Sequence, residues 1–138
     1  MTTHHTKDKG DLGVAKAFAD LVSRGFTVLF PATEHAPFDL VAYRAGRFRR
    51  IQVKYRAVRR GGINVRFRSV WNDRHGTHKV PVDKSEVDVL CIYCPDTDEC
   101  YYVRPSAYRE SVTLRVSPAN NGQELGVLVA SKFREVPE

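Results

Sequence analysis

The 138-residue sequence predicts a domain of the α/β (α+β) class, in which helices flank a mixed central β-sheet. Two observations support this prediction. An apolar pattern of helical period near the N-terminus precedes three or four strand patterns and then mixed elements. The hydrophobic content of 42% is sufficient for one globular core at this length. Residues 1–138 are therefore expected to form a single domain, with a polar N-terminal tail over about residues 1–8.

Periodicity and turn residues place the elements in chain order. The helix over residues 11–23 has one apolar face and ends before Gly25, which is a helix stop. This predicted face consists of Val14, Phe18, Leu21 and Val22. A β-hairpin then turns at Ala45 and Gly46, and its second strand covers residues 48–56. The remaining predictions are strands over 26–30, 63–68, 87–93, 100–103 and 113–116, loops over 71–78 and 120–122, one helical turn at 105–108, and a final helix over 123–133.

A carboxylate, an amide and an ammonium converge on one face of the predicted hairpin. Folding the chain about its turn puts Asp39 opposite Gln52, and directly opposed residues of an antiparallel pair share a face. Alternation along the strand puts Lys54 on that face too. Oxygen ligands beside a fixed cation suit Mg²⁺ and a phosphate, so the pattern favours nucleic-acid cleavage. A solvated polar face is the alternative, but the apolar neighbours indicate a largely buried strand pair.

Positive charge is concentrated in the middle of the chain. The formal charge of +6 and the pI near 9.4 favour a polyanionic partner. No acidic residue occurs between positions 41 and 72, and arginine dominates the basic residues there. Because the arginine fork suits phosphate oxygens, these side chains are predicted to bind DNA, although soluble edge strands are an alternative. The predicted contacts are Arg56, Arg59, Arg60, Arg66 and Arg68.

Three cysteines leave a zinc site open as an alternative. Cys91 and Cys94 have Cys-x₂-Cys spacing, with Cys100 downstream and two histidines upstream. However, Cys91 and Cys94 lie in a predicted buried strand, where positions three apart face opposite ways, so structural cysteines are favoured. The N-terminus is polar and no apolar run approaches the roughly 18 residues of a membrane span. A cytoplasmic protein of bacterial, archaeal or phage origin, without a secretion signal, is therefore expected.

The order of these motifs resembles the PD-(D/E)xK nuclease superfamily. The chain looks like the branch that contains a cyanobacterial group I intron homing endonuclease, in which glutamine replaces the second acid, as Gln52 does here. The resemblance covers about residues 7–133. The matching motifs are Lys9-Gly10-Asp11-Leu12-Gly13, Arg24-Gly25-Phe26, Glu34-His35, Phe38-Asp39-Leu40, Arg50-Ile51-Gln52-Val53-Lys54-Tyr55, Trp71-Asn72, Glu86-Val87-Asp88 and Asn120-Asn121-Gly122-Gln123.

The resemblance implies a restriction-endonuclease-like core and a Mg²⁺-dependent endonuclease acting on double-stranded DNA, with Mn²⁺ as a substitute metal. Asp39 would be the central metal-binding carboxylate, Gln52 would take the place of the second acid, and the Val53 carbonyl would add an oxygen ligand. Lys54 would orient or deprotonate the attacking water, and Asn72 would join the arginines as a DNA contact. Because one small active site cuts one strand, a homodimer or homotetramer is expected.

One departure from the family pattern leaves the ligand set open. Many relatives carry a glutamate on the first helix, and the matching position here is Val14. Glu34, just before the Asp39 strand, and Asp11, one helical turn from Val14, are candidate replacements, and Glu34 is counted among the predicted catalytic residues. If neither carboxylate reaches the metal, the chain binds DNA without cutting it. Three further alternatives are a resolvase or restriction-type nuclease, a zinc-dependent domain, and an RNA-binding protein.

Overall fold

The computed structural model describes residues 6–117 and 126–138. One α-helix and ten strands occupy these ranges, together with two short 3-10 helices at Pro105–Ala107 and Ala130–Phe133. The helix is α1 (Thr6–Ser23), and the strands are β1 (Thr27–Leu29), β2 (Leu40–Arg44), β3 (Arg47–Tyr55), β4 (Gly62–Arg66), β5 (Arg68–Asp73), β6 (Gly76–Pro81), β7 (Val89–Cys94), β8 (Glu99–Val103), β9 (Ser111–Arg115) and β10 (Leu128–Val129). Within these ranges, no helix is both long and apolar enough to cross a membrane.

The central sheet is mixed, as the sequence predicts. Its strand order is β1-β2-β3-β7-β8, with β3 and β7 parallel and the other pairs antiparallel. Every residue of β7 is buried, which explains why that strand is continuously apolar. The β2–β3 hairpin pairs Leu40 with Ile51 and turns at Ala45 and Gly46, both of which have positive φ. The predicted hairpin register is therefore confirmed.

Two hydrophobic clusters cover the two faces of this sheet. On one face α1 packs against a cluster that includes Leu21, Ile51 and Tyr102. On the other face the three-stranded sheet β10-β9-β4 packs against a cluster that includes Leu90 and Ile63. The described residues therefore place an α-helix on one face of the central sheet and a second sheet on the other.

The helix α1 is longer than predicted and packs through a different face. It starts at Thr6, so residues 6–8 belong to the helix rather than to a polar tail. Ala17 and Leu21 are completely buried, whereas Phe18 and Val22 are 43% and 50% exposed. The small residue Gly13 faces β3 at close range, and a Cβ added there would meet the Val53 side chain in ordinary contact at 3.4 Å. Close approach through small residues therefore selects this face.

Two other predictions are wrong in the described ranges. The segment predicted as a loop over 71–78 belongs to a β5–β6 hairpin, in which Asn72 pairs with Thr77 and the turn ends at Gly76 with φ of +119°. Of the predicted helix over 123–133, the described part forms β10 and a 3-10 helix instead. β10 pairs in parallel with β9. This pairing satisfies backbone hydrogen-bonding groups that a helix would satisfy within itself. The predicted loop over 120–122 lies outside the described residues.

Candidate active site and nucleic-acid interface

Asp39 is held against β3 by two hydrogen bonds just before β2 begins. Its backbone N–H donates to the Ile51 carbonyl at 2.9 Å, and its Oδ2 accepts the Val53 N–H at 2.7 Å. These bonds continue the hairpin pairing beyond the first ladder pair and fix the carboxylate beside the middle of β3. The position opposite Gln52, predicted from the turn, therefore agrees with the hairpin register.

Gln52 presents an oxygen atom that lacks a hydrogen-bond partner. The residue lies on β3 between β2 and β7, beside Leu90 of β7. Its Oε1 is buried and accepts no hydrogen bond from the described part of the chain. An unsatisfied buried acceptor costs about 1–3 kcal/mol, so such a group requires an explanation. A bound cation beside Asp39 would provide the missing partner.

Lys54 is the third member of the predicted set and lies two residues further along the same face of β3. Its Nζ donates to the Arg68 carbonyl at 3.0 Å, which ties β3 to the start of β5. Burial lowers the pKa of Lys54 to about 8, and the positive charge of Arg56 adds to this effect. The negative charge of Asp39 acts in the opposite direction. The ammonium therefore loses its proton far more easily than an exposed lysine does.

The pKa of Asp39 also differs from its usual value. Desolvation of the carboxyl group raises its pKa, although the residue as a whole is exposed at the surface. The Val53 N–H and the Lys54 charge lower the pKa and offset part of that effect. A partly desolvated carboxylate gains more from a bound cation than a fully hydrated one, because it has already lost part of its hydration.

The donor set on this face fits a hard divalent cation. The Asp39 carboxylate, the unpaired Gln52 Oε1 and the Val53 carbonyl are all oxygen donors, which Mg²⁺ prefers. Proteins often hold Mg²⁺ by one or two carboxylates and leave the other positions to water and substrate phosphate. One carboxylate and one amide oxygen are therefore enough for a site that is completed by its substrate.

Both candidate replacement acids are exposed, and their part in the site stays a prediction. Glu34 lies in an exposed turn before β2, and Asp11 is exposed on α1. Across the described ranges, no three or more His, Cys, Asp or Glu side chains are grouped so that they could hold a metal ion. Val14, at the position where relatives carry glutamate, packs against the hydrophobic cluster on the helix side of the sheet.

A basic groove of about 740 Å³, here called the first groove, begins at Lys54 and continues along β4 and β5. Four of the predicted DNA contacts line it, namely Arg56, Arg59, Arg66 and Arg68. No Asp or Glu is among the described residues that form its wall. Arg60 and Asn72 do not line it. Arg60 lies in the turn before β4, and the Asn72 side chain accepts a hydrogen bond from Thr77 on β6.

The structure adds two residues to the first groove that sequence reasoning missed. Lys9 of α1 and Asn64 of β4 both line it. Lys9 was assigned to a family motif without a role, and only the packing of α1 beside β3 brings it to the groove. One arginine of the basic segment is already paired with an acid in the structure. Arg50 forms two 3.0 Å hydrogen bonds to Asp88, so its charge is already paired.

The cysteines occupy opposite faces of the central sheet. Cys91 and Cys100 belong to the cluster on the helix side, whereas Cys94 belongs to the cluster on the other side. The predicted opposition of Cys91 and Cys94 is therefore confirmed. All three are free and buried, and burial raises the pKa of the Cys91 thiol.

Comparisons with known proteins identify the family and the fold of the chain. A family model described as PD-(D/E)XK endonuclease matches residues 4–136. Among solved structures, the bacterial homing endonuclease I-Ssp6803I is similar with a TM-score of 0.75 and 20% sequence identity. The match covers 95% of this chain and 89% of that chain. A search of curated proteins gave no significant match. The predicted resemblance and the predicted fold class are both confirmed.

Proposed function

The chain belongs to the PD-(D/E)XK endonuclease family, and from this premise we propose that it is a divalent-metal-dependent endonuclease acting on double-stranded DNA. The observation that carries the proposal is the position of Asp39 against β3, opposite Gln52 in the hairpin register and close enough to Lys54 to affect its charge, while Lys54 also lines the first groove. Metal ligands, a lysine of lowered pKa and a phosphate-binding surface are the parts that phosphodiester hydrolysis requires.

The Asp39 carboxylate, the Gln52 Oε1 and the Val53 carbonyl would hold the metal. When bound, Mg²⁺ would polarise the phosphate and neutralise the charge that develops on its oxygens. Mn²⁺ accepts the same oxygen donors and is the expected substitute. The Val53 N–H contributes by fixing the Asp39 carboxylate, since it donates to Oδ2 at 2.7 Å.

Lys54 supplies the proton acceptor in this proposal. In its neutral form, Nζ donates to the Arg68 carbonyl and keeps a lone pair for a water molecule. Nζ would take one proton of the attacking water as the water oxygen bonds to phosphorus, the bond from phosphorus to the 3′ oxygen would break, and the leaving 3′ oxygen would take a proton from solvent. The arginines of the first groove bind the flanking phosphates and hold the scissile group in place.

A plasmid-cleavage assay tests the proposal. Supercoiled DNA is incubated with wild type, Asp39→Asn or Glu135→Gln, in Mg²⁺, Mn²⁺ or EDTA. Glu135 is an exposed acid beside the C-terminal segment, lines a different cavity and serves as the matched control. We expect metal-dependent cutting by wild type and the control, and a loss of at least about 100-fold in Asp39→Asn. Equal cutting by all three proteins would remove Asp39 from the site.

One observation favours a second candidate function, a non-catalytic DNA-binding module on the same fold. Among the described residues, no three or more His, Cys, Asp or Glu side chains form a group that could hold a metal ion. A protein of this kind would bind DNA with strong salt dependence and would leave plasmid intact in every metal tested. Isothermal titration of wild type and Gln52→Ala with Mn²⁺ separates the two functions. A nuclease should bind Mn²⁺, and Gln52→Ala should weaken that binding, whereas a module that only binds DNA needs no metal.

We further propose that the active form contains at least two copies of the chain. Each copy provides one such site, and cutting both strands of a duplex with a single small site requires a pair. Sedimentation in the presence of DNA checks this proposal. A homing, resolvase or restriction role is compatible with this site, because fold alone does not select among nuclease functions.

A further inference from the structure

We propose that the β5–β6 hairpin is an arm that lies in the DNA major groove, with one DNA strand in the first groove and the complementary strand in a second groove on the other side of the arm. The arm comprises residues 68–81. This inference rests on the proposed function and extends it, since it assigns the two strands of the substrate to two separate surfaces.

The arm is isolated from the other two sheets. It forms its own two-stranded sheet, and its six cross-strand pairs extend from Arg68 opposite Pro81 to Asp73 opposite Gly76. Most of β6 is exposed, as are Asn72 and Val70 of β5. Core packing does not explain a hairpin that buries so little of its own surface. Its exposed edges are instead available for contact with a partner.

Each edge of the arm borders a different basic groove. On the β5 side, Ser69 and Val70 line the first groove. On the β6 side, Lys79 and Pro81 line a second groove of about 340 Å³. Arg66 and Arg68, at the root of the arm, line both grooves.

The second groove has the charge of a phosphate-binding surface. Its described lining contains five basic residues and one acid, Glu110. The five are Arg66, Arg68, Lys79, Lys84 and Arg109. Lys84 already donates to the Tyr108 and Arg109 carbonyls at 2.6 Å, so it stabilises the wall. Lys79 and Arg109 are exposed, and they are the side chains assigned to the complementary strand.

The dimensions of duplex DNA match this arrangement. Paired strands are about 4.7–4.9 Å apart, and the major groove, about 12 Å wide, admits a two-stranded ribbon. The minor groove is about 6 Å wide and does not admit one. A ribbon in the major groove has one phosphate backbone along each edge. The hydrogen bond from Lys54 to the Arg68 carbonyl ties the root of the arm to the active site, so the strand in the first groove is the one cut.

The test measures the salt dependence of DNA binding by the full-length chain in EDTA. Lys79→Ala/Arg109→Ala removes two charges from the second groove, and Arg47→Ala/Lys132→Ala removes two exposed charges that line other cavities. The probes are a random-sequence duplex of about 30 base pairs, one of its single strands, and the same duplex made with glucosylated 5-hydroxymethylcytosine, which fills the major groove. Thermal melting verifies that each variant is folded.

We expect the second-groove variant to lower the duplex salt slope by about 1.8, from about 0.9 per lost phosphate contact, and the control to leave it unchanged. The single-strand slope should be the same for all three proteins, because a single strand has no second backbone. Wild type should bind the glucosylated duplex at least about tenfold more weakly. An unchanged duplex slope, an equal loss on single strands, or equal affinity for the glucosylated duplex would each overturn the inference.

Plasmid cleavage separates this inference from the proposed function. If wild type cuts in Mg²⁺ and Asp39→Asn does not, while the second-groove variant keeps its full salt slope, only the assignment of the arm is wrong. If wild type neither cuts nor binds DNA, the proposed function is wrong and the arm assignment is wrong with it.

Discussion

The protonation of Lys54 is expected to make DNA cleavage depend on pH between 7 and 9. Burial, and then the charge of Arg56, lower the pKa of this lysine to about 8, below its usual value of 10.5. The neutral amine therefore increases from about one tenth of the molecules at pH 7 to about nine tenths at pH 9. If neutral Nζ accepts the proton of the attacking water, the single-turnover rate rises about tenfold over this interval and levels off above it.

The assay is single-turnover cleavage of supercoiled plasmid at saturating protein and Mg²⁺. Lys54→Arg is the matched control, because a guanidinium keeps the positive charge and does not lose its proton in this range. Its residual rate should not rise with pH. Arg56→Gln should raise the pKa of Lys54, since it removes a repelling charge, and should move the rise to higher pH. A wild-type rate that is constant or falls with pH, or a rise that persists in Lys54→Arg, would refute the role of Lys54 as proton acceptor.

Three further predictions concern the metal site, the helix and the Asp88 pair. Gln52→Glu should lower the Mg²⁺ concentration for half-maximal cleavage by about threefold or more, because it adds a carboxylate beside Asp39. Metal titration of the cleavage rate checks this. Gly13→Ala should stabilise the protein by about 0.5–1 kcal/mol in urea unfolding, since the added Cβ meets only ordinary contact at 3.4 Å, whereas Gly25→Ala, at φ of +86°, should destabilise it. Asp88→Ala should cost about 1–2 kcal/mol in the same assay, because Asp88 accepts three hydrogen bonds from one arginine. That arginine lowers the pKa of Asp88, so the wild-type contribution is present above the usual carboxyl pKa and is lost as pH falls through the lowered value.

Local patterns were sufficient to predict the register of the β2–β3 hairpin but not the layers around it. The hairpin register follows from the turn at Ala45 and Gly46, because side-chain alternation and antiparallel pairing are short-range rules. The buried face of α1 depends instead on which residues let the helix approach β3. The exposed Phe18 packs against the Phe30 ring at 5.8 Å instead of entering the core, and no periodicity rule anticipates that choice.

The arm was missed for a physical reason. A strand is recognised in a sequence when one of its faces is buried, since burial produces apolar alternation. Both faces of β6 are largely exposed, so residues 76–81 show no such alternation and resemble a loop. The pairing of Asn72 with Thr77 is visible only in three dimensions. Elements that serve a partner rather than the core are those that a hydrophobic pattern describes least well.

The energetic cost of the catalytic face favours a nuclease over a module that only binds DNA. Gln52 keeps a buried oxygen without a partner in the described chain, and Lys54 is desolvated enough for its pKa to fall to about 8. Each feature opposes folding, because burial takes hydration away from the unsatisfied Gln52 oxygen and from the charged form of Lys54. Phosphate binding needs neither feature, since exposed arginines such as Arg66 provide it without this cost. A metal ion beside Asp39 would satisfy the oxygen, and proton transfer from water would use the neutral amine. The proposed catalysis would therefore account for both costs, whereas DNA binding alone would account for neither.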